Sequence, residues 1–280
     1  MKLTANDTEI LSLMKITTAN GDPVDWKYNC FPDGQIQIKI PKSAIQSMDT
    51  LNVKVSITNP VILDLFMQLI SEYPLRSLYV NYLYGARCDK YEAGEYWVCN
   101  VAQKTINDIF EYVENTVFLA PHCSDLLNEN EINYKLPDCV SLSDYDLVIF
   151  PDESAYQRYA DQIDGYECAI CEKRRDQETG NIISHNIPNL PDHVNKVILL
   201  DDLADAGGSF MSIANTLPDN VKADLFVFHG VFTNNALSRL LEKFNNVIVS
   251  NSLPEPQNQY NNLEDEDKNR VKIFDVWDES

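Results

Sequence analysis

The feature that most constrains the fold of this chain is a series of short apolar segments that alternate with segments of helical periodicity. In the second half the apolar segments are YDLVIF (145–150), YECAIC (166–171), KVILL (196–200), ADLFVFH (223–229) and NVIVS (246–250). They show little polar alternation, which is typical of parallel strands buried on both faces by helices. Segments with helical spacing, such as NALSRLLEKF (235–244), lie between them. The second half therefore predicts an α/β domain with a mainly parallel sheet.

The first half repeats this alternation. Its predicted elements include strands at QIQIKI (35–40), LNVKVSI (51–57), SLYVNYLY (77–84) and TVFLA (116–120), and helices at PVILDLFMQLISEY (60–73) and NVAQKTINDIFEYV (100–113). The loop SDLLNENEINYKLPDCVSLSD (124–144) is the expected boundary, so the predicted domains are residues 1–140 and 141–280. An acidic tract near the end, NLEDEDKNR (262–270), is predicted as a solvated loop.

Composition excludes several classes of partner. The formal charge of −21 over 280 residues argues against general affinity for nucleic acid or for an anionic membrane, since both require a basic face. The start, MKLTANDTEILSLMK, lacks the basic head and apolar core of a signal peptide, and no apolar run approaches the ~18 residues of a membrane span. Seven scattered cysteines are an odd number, which indicates reduced thiols and a cytoplasmic location.

The stretch VILLDDLADAGGSF (197–210) carries the strongest indication of a binding site. Ligands of open parallel sheets bind beyond the carboxyl ends of strands, and here a strand is followed by acidic residues and a glycine turn. Paired carboxylates suit the hydroxyl groups of a sugar, while backbone amides near two glycines suit a phosphate. An acidic turn with a serine helix cap is the plainer alternative. The residues predicted to hold a ribose phosphate are Asp201, Asp202, Asp205, Ala206, Gly207, Gly208 and Ser209.

Further segments, in the same order and with comparable spacing, resemble motifs of the ribose-phosphate diphosphokinase (PRPP synthetase) family. They are FPDGQ (31–35), GARCDK (85–90), APHCS (120–124), FPDES (150–154), EKRRD (172–176) and VSNS (249–252). The resemblance extends from about residue 31 to about residue 275. It implies two domains like the type I phosphoribosyltransferase core and a homodimer or higher homo-oligomer. It also implies Mg²⁺-dependent transfer of the β,γ-diphosphate of ATP to the C1 hydroxyl of ribose 5-phosphate.

The resemblance also implies roles for individual residues. Contacts with ATP are expected at Phe31, Asp33, Gln35, Arg87, Cys88 and Asp89, the first three facing adenine from a second subunit. Lys173 and Arg175, which alternate along a polar loop expected after a strand, would stabilise charge between the β-phosphorus and the departing AMP. Arg174 is expected to be solvated. His122 is expected to contact metal or the γ-phosphate, and Asp152 to bind the metal directly or through water.

Departures from the family pattern leave the acceptor open. Ala206 stands where the family has threonine, so it lacks a hydroxyl donor to a terminal phosphate dianion. A bridging phosphodiester needs that donor less. ADP-ribose, whose free end is a ribose 5-phosphate esterified to AMP, is therefore the alternative acceptor. Phage-type relatives in pathways that rebuild NAD have this activity, with ADP-ribose pyrophosphate as the product.

A catalytically silent regulatory subunit is the second alternative. Cys88 and Ala120 replace a family glutamine and a family aspartate, which favours this alternative. The retained Lys173 and Arg175 argue against it. A phosphoribosyltransferase that consumes PRPP would leave the motifs of residues 31–124 without a purpose.

Overall fold

The computed structural model describes residues 7–42, 50–89, 92–93, 96–175, 182–187 and 190–277. The chain divides into two compact units, Met1–Asn133 and Tyr134–Ser280. The division predicted after residue 140 falls inside the second unit. Each unit is a mixed α/β structure with a mostly parallel sheet, so the predicted fold class is confirmed. None of the helices in the described ranges combines the length and the apolar character needed to span a bilayer.

The first unit is built around five strands. In chain order its elements are α1 (Asp7–Ser12), β1 (Met14–Thr18), β2 (Lys27–Cys30), β3 (Ile36–Lys39), β4 (Leu51–Ile57), α2 (Pro60–Glu72), β5 (Leu75–Leu83), β6 (Glu92–Ala93), β7 (Tyr96–Trp97), α3 (Val101–Phe110), β8 (Thr116–Leu119) and β9 (Ile132–Asn133). The central sheet has the order β1-β4-β5-β8-β9, with β1 antiparallel to β4 and the other neighbours parallel. β2 with β3 and β6 with β7 form separate antiparallel pairs.

Helix α2 shows why these segments fold as predicted. Asn59 caps it, accepting hydrogen bonds from the amides of Val61 and Ile62, and Pro60 occupies its first turn, where a missing N–H does no harm. Five apolar residues at helical spacing are buried: Ile62, Leu65, Phe66, Leu69 and Ile70. The helix therefore covers its sheet with one continuous apolar stripe.

The second unit contains a fully parallel sheet. Its elements are β10 (Leu147–Phe150), α4 (Glu153–Tyr159), β11 (Cys168–Ile170), β12 (Glu172–Arg175), β13 (Ile182–Asn186), β14 (Lys196–Ala204), α5 (Gly208–Ala214), β15 (Lys222–Gly230), α6 (Ala236–Leu241), β16 (Asn246–Ser250), α7 (Glu255–Asn261), α8 (Asp265–Lys268) and β17 (Val271–Phe274). The strand order is β11-β10-β14-β15-β16-β17, and every neighbouring pair is parallel. β12 and β13 form a separate antiparallel ribbon.

Three local expectations need correction. The acidic tract 262–270 contains the short helix α8 and leads into the edge strand β17, rather than being only a loop. Strand β14 continues to Ala204, past the KVILL segment. Helix α5 begins at Gly208, whereas the sequence placed its start near Phe210. Among the seven cysteines, all within the described ranges, no disulfide forms.

A buried polar network ties the amino ends of the strands in the second unit. The carboxylate of Asp224, which is 3% exposed, accepts a hydrogen bond from the Tyr145 hydroxyl at 2.9 Å and from the Asn246 amide at 2.8 Å. Burial and the neighbouring Asp224 charge raise the pKa of Tyr145, so its hydroxyl stays protonated and donating. The Lys196 ammonium lies 4.3 Å from the centre of the Tyr145 ring.

We expect Tyr145→Phe to lower the free energy of unfolding by about 1–3 kcal/mol, because the buried carboxyl group of Asp224 loses a hydrogen-bond donor. Tyr166→Phe is the matched control, since Tyr166 is 40% exposed and its replacement should change stability by less than about 0.5 kcal/mol. Urea unfolding of both variants measures the difference. Equal effects at the two positions would show that the network contributes nothing.

Candidate functional site

The carboxyl ends of β10, β14 and β15 lie side by side, because these strands are parallel neighbours in the second sheet. The next strand in the chain, β11, lies on one side of β10, and the later strand β14 lies on its other side. Such a reversal of strand order opens a crevice at the carboxyl edge, where open α/β sheets bind ligands. The structure therefore brings together three sequence segments: Asp152 after β10, the aspartate pair of β14, and the loop 205–209.

The two aspartates at this edge contact one guanidinium group. Nη1 of Arg158, from α4, lies 3.0 Å from Oδ1 of Asp202 and 3.4 Å from Oδ1 of Asp201. The side chain of Asp202 is 2% exposed, that of Arg158 10% and that of Asp201 18%. The amide of Asp202 also donates to Oδ1 of Asp201 at 2.8 Å. The role predicted for the pair stays a prediction, but only Asp201 is partly open to solvent.

This cluster shifts the ionisation of its members. Burial, followed by the adjacent charge of Asp202, raises the pKa of Asp201 well above its usual range, although Arg158 opposes the shift. Burial disfavours the charged form of Arg158, but the negative charge of Asp202 and its neighbours outweighs this and raises the pKa of Arg158. Arg158 therefore remains a cation, and Asp201 holds its proton more tightly than a solvated aspartate does.

The loop 205–209 closes tightly against its neighbours. Gly207 has φ +76°, and a Cβ there would lie 3.1 Å from a methyl carbon of Leu240, so both the conformation and the close packing favour glycine. Gly208 is exposed, and a Cβ at this position would meet nothing within 4 Å. Ser209 is exposed as well. The loop thus packs on one side and is open on the other.

The turn after β15 supports the same loop. The Thr233 hydroxyl donates to Oδ1 of Asp205 at 2.6 Å, and Nη1 of Arg239 donates to the carbonyl of Ala206 at 3.3 Å. The backbone of this turn is unusual, since Phe232, Asn234 and Asn235 have positive φ values of 45°, 56° and 55°. Strained conformations of this kind cluster at ligand sites.

Asp152 has a structural contact that the sequence did not predict. It is the N-cap of α4, and its Oδ1 accepts a hydrogen bond from the Ala155 amide at 2.9 Å. Burial, with a smaller effect of Asp152, raises the pKa of Cys171 to about 12, so this thiol is not a nucleophile at neutral pH. Within the described ranges, no three histidine, cysteine, aspartate or glutamate residues are grouped to hold a metal ion.

Lys173 and Arg175 lie in a strand, whereas the sequence predicted a loop. β12 pairs with β13 in antiparallel register, Lys173 opposite His185 and Arg174 opposite Ser184. The register shifts between Arg174 and Arg175, which is paired with Ile182.

In the first unit, two of the predicted nucleotide segments also follow neighbouring parallel strands, β5 and β8. After β5, Gly85 takes φ +81°, and a Cβ there would lie 2.8 Å from Cγ1 of Val101. The carbonyl of Cys88 accepts from the Ala102 amide, and that of Asp89 from the Asn100 side chain. These contacts fix the turn against the start of α3, with Arg87 and Cys88 exposed.

After β8, the chain passes through Ala120, which is fully buried with φ +39°. His122 follows two residues later and is half-buried, and Cys123 is buried. Because β5 and β8 are adjacent and parallel, the Arg87 turn and the His122 turn lie at the same edge of the first sheet.

The segment 31–35 forms the tip of the β2–β3 hairpin. The Gly34 amide donates to the Phe31 carbonyl, the Phe31 amide donates to the Gln35 carbonyl, and Gly34 has φ +90°. The carboxylate of Asp33 accepts from the Gln35 amide at 3.1 Å. Phe31 is 44% exposed, a high value for a large apolar side chain.

Sequence reasoning missed Arg158, Thr233 and Arg239. Arg158 is the one basic residue of α4, and α4 begins directly after the predicted strand β10. The position of Arg158 indicates a contact with the aspartate pair only once β10 and β14 are known to be neighbouring strands. The contacts of Thr233 and Arg239 depend on a turn whose backbone conformation the sequence does not reveal.

The chain is similar to known proteins over most of its length. No protein-family model matches the chain. The curated ribose-phosphate pyrophosphokinase of Thermoplasma acidophilum is 22% identical over 241 residues, covering 80% of this chain and 82% of the relative. That of Sulfolobus acidocaldarius is 25% identical over 273 residues, covering 89% and 88%. These matches show that the chain is similar to ribose-phosphate pyrophosphokinases over most of its length.

A shorter sequence match and a solved structure show the same similarity. The ribose-phosphate pyrophosphokinase of Methanopyrus kandleri is 32% identical over 115 residues, 39% of each chain. The crystal structure of phosphoribosylpyrophosphate synthetase from Mycobacterium smegmatis matches with a TM-score of 0.68 and 18% identity, covering 92% of this chain and 88% of that one. The structural match shows that the two proteins share a fold over most of both chains.

The raised pKa of Asp201 predicts a distinctive pH dependence. A carboxyl group with a higher pKa in the folded chain than in the unfolded chain stabilises the fold fully below about pH 4, and this contribution falls as the pH rises toward the folded pKa. The free energy of unfolding of the wild type, minus that of Asp201→Asn, should therefore decline with rising pH over that window. Urea unfolding at a series of pH values measures it.

Asp146 supplies the matched control. The amides of Asn195 and Lys196 donate to its carboxylate and lower its pKa. Its contribution is complete above the unfolded pKa and is lost as the pH falls through the folded pKa, so Asp146→Asn should give the opposite slope. A difference that rises with pH for Asp201→Asn would contradict the shift.

Proposed function

We propose that this chain transfers the β,γ-diphosphate of ATP to the C1 hydroxyl of ribose 5-phosphate, forming phosphoribosyl diphosphate and AMP. The observation that carries the proposal is the position of the segment 201–209 at the strand-order reversal of the second sheet. Relatives named ribose-phosphate pyrophosphokinase cover both units of the chain. In the reaction, the C1 oxygen bonds to the β-phosphorus, the bond from that phosphorus to the α,β-bridging oxygen breaks, and the hydroxyl proton leaves to solvent.

The acceptor would be held by two parts of the same edge. Partly exposed carboxylate oxygens accept hydrogen bonds from sugar hydroxyls, and the open side of the loop 205–209 presents backbone amides and Ser209 to the 5-phosphate. The contacts of Thr233 and Arg239 with Asp205 and Ala206 hold the loop in place before the acceptor arrives. Such preorganisation lowers the entropy lost on binding.

The nucleotide would be held by Arg87 at its phosphates, together with Cys88 and Asp89 of the same turn. We propose that Phe31, Asp33 and Gln35 contact adenine bound to a second copy of the chain, since Phe31 presents an exposed ring at a hairpin tip. This arrangement requires at least a homodimer.

Mg²⁺ would neutralise charge on the triphosphate of ATP when bound. A nucleotide-bound Mg²⁺ needs only one or two protein carboxylates, because phosphate oxygens and water complete its shell. Asp152 supplies an oxygen ligand of the preferred kind. The imidazole of His122 is a poorer ligand for Mg²⁺, so we propose that it contacts a phosphate oxygen. Lys173 and Arg175 would stabilise the charge that develops as AMP departs.

We expect Lys173→Ala to reduce AMP release about 100- to 1,000-fold, because a cation at the transferring phosphorus is lost. Arg174→Ala is the matched control in the same strand and should keep turnover near that of the wild type. Both variants should unfold within about 0.5 kcal/mol of the wild type. Unchanged AMP release from Lys173→Ala would remove this residue from the mechanism.

ADP-ribose is the second candidate acceptor. It is favoured by the exposed Gly208 and Ser209, which leave space beyond the loop, and by the absence of a hydroxyl at Ala206. The same transfer to its free C1 hydroxyl would give ADP-ribose pyrophosphate.

Measuring AMP release with Mg-ATP and each acceptor in turn should distinguish ribose 5-phosphate from ADP-ribose. Ribose 5-phosphate is expected to support turnover, and Ala206→Thr should improve its KM about 2- to 10-fold through the added hydrogen bond, with less effect on ADP-ribose. Turnover with ADP-ribose alone would replace the first proposal by the second. No AMP with either acceptor would indicate a silent subunit.

A further inference from the structure

The aspartate pair is not symmetric. Both carboxylates lie at the same edge of the sheet, yet the side chain of Asp202 is 2% exposed and that of Asp201 is 18% exposed. The shorter contact of Arg158, at 3.0 Å, is with Asp202. A buried carboxylate that already accepts a hydrogen bond from a cation is poorly placed to accept another from a hydroxyl group of a ligand.

Arg158 is held firmly in this position. The next residue, Tyr159, is fully buried, and its hydroxyl donates to the main-chain carbonyl of Asp201 at 2.9 Å. Its ring stacks on Phe150 of β10, with centres 6.1 Å apart and planes at 29°. Two consecutive residues of α4 therefore contact the end of β14. Tyr159 binds a main-chain carbonyl and also packs on β10, and Arg158 binds the two carboxylates.

The charges explain why Asp202 stays in place. A guanidinium that is 10% exposed needs a counter-charge, and removing one partner of a buried ion pair is strongly destabilising. Asp202 meets that need with a geometry suited to a hydrogen bond. Its own amide in turn donates to Oδ1 of Asp201 and fixes the direction of that carboxylate.

We infer that Arg158 divides the aspartate pair: Asp202 is the buried counter-ion of Arg158, and Asp201 alone receives the hydroxyl groups of the sugar. The second half of this inference rests on the proposed function. Arg158 is therefore a positioning residue, which acts on the acceptor through the placement of Asp201.

Thermal unfolding of the full chain tests the first half. Arg158→Met leaves the buried carboxylate of Asp202 and the partly exposed carboxylate of Asp201 without their cation, and should lower Tm by about 5–15 °C. Adding Asp202→Asn to Arg158→Met should recover most of this loss, because the charge to be balanced has gone. Adding Asp201→Asn instead should recover less, since Asp201 is partly hydrated. Equal recovery from the two additions, or none from Asp202→Asn, would overturn the pairing.

Binding of acceptor analogues tests the second half. Titration calorimetry without ATP compares ribose 5-phosphate with its 2-deoxy and 3-deoxy forms. The wild type should bind at least one deoxy form about 10-fold more weakly or worse, through loss of a bond to a charged group. Asp201→Asn should bind all three alike, while Asp202→Asn should keep the discrimination. Arg158→Lys, which conserves the charge, should retain it in part.

The outcomes separate the two proposals. Discrimination lost in Asp202→Asn but kept in Asp201→Asn would overturn the inference and leave the proposed function intact. If the wild type binds none of these sugar phosphates, the ribose 5-phosphate proposal fails and the role of Asp201 fails with it. The Tm comparison still decides in that case whether Arg158 and Asp202 form the pair.

Discussion

Burial of a parallel sheet on both faces is the constraint from which the site follows. The middle of β14 is wholly apolar and without solvent contact, as Ile198 and Leu199 show, so ionisable groups can be carried only toward the strand ends. At the amino end they form a closed network around Asp224. At the carboxyl end the strand order reverses between β10 and β14, and open α/β sheets bind ligands at such a position. The aspartates of β14 lie at this end, where Arg158 can pair with both carboxylates and solvent can still contact Asp201.

The sequence was most informative where hydrophobic burial alone determines structure. β15 is buried at every position after Lys222, and its apolar run predicted it almost to the residue. Helix α2 was equally clear, because its cap and apolar period coincide. Residues 172–175 were predicted as a loop, because a run of charged residues shows no alternation of apolar and polar positions. Their strand, β12, forms by pairing with residues 182–186, which the local sequence does not reveal. The short edge strand β17 escaped notice behind an acidic tract.

The candidate site was predictable in its segments and less so in its contacts. The motif residues indicated which turns belong to the candidate site, since glycines and paired carboxylates are unusual directly after buried strands. Arg158 could not be placed from sequence, because its partners lie on a strand more than forty residues away. The inequality of Asp201 and Asp202 likewise depends on packing of α4 that no local pattern encodes.

Two residues that differ from the motifs of ribose-phosphate diphosphokinases lie in turns whose conformation is held by main-chain hydrogen bonds. Cys88 holds its turn through a carbonyl, and Gln35 closes the hairpin through a carbonyl and an amide. Side chains at these positions can change without altering the backbone frame. Substitution there changes which ligand atoms are met, while the positions of the turns persist.

The left-handed residues after β15 have a consequence for the evolution of the chain. Each non-glycine residue in such a conformation stores of the order of 1 kcal/mol, less for asparagine and more for a bulky side chain such as Phe232. Folded domains have net stabilities of only about 5–15 kcal/mol. A unit that keeps three of these residues in one turn therefore has a narrower mutational tolerance, and mild core substitutions elsewhere in it will more readily reduce the abundance of the folded chain.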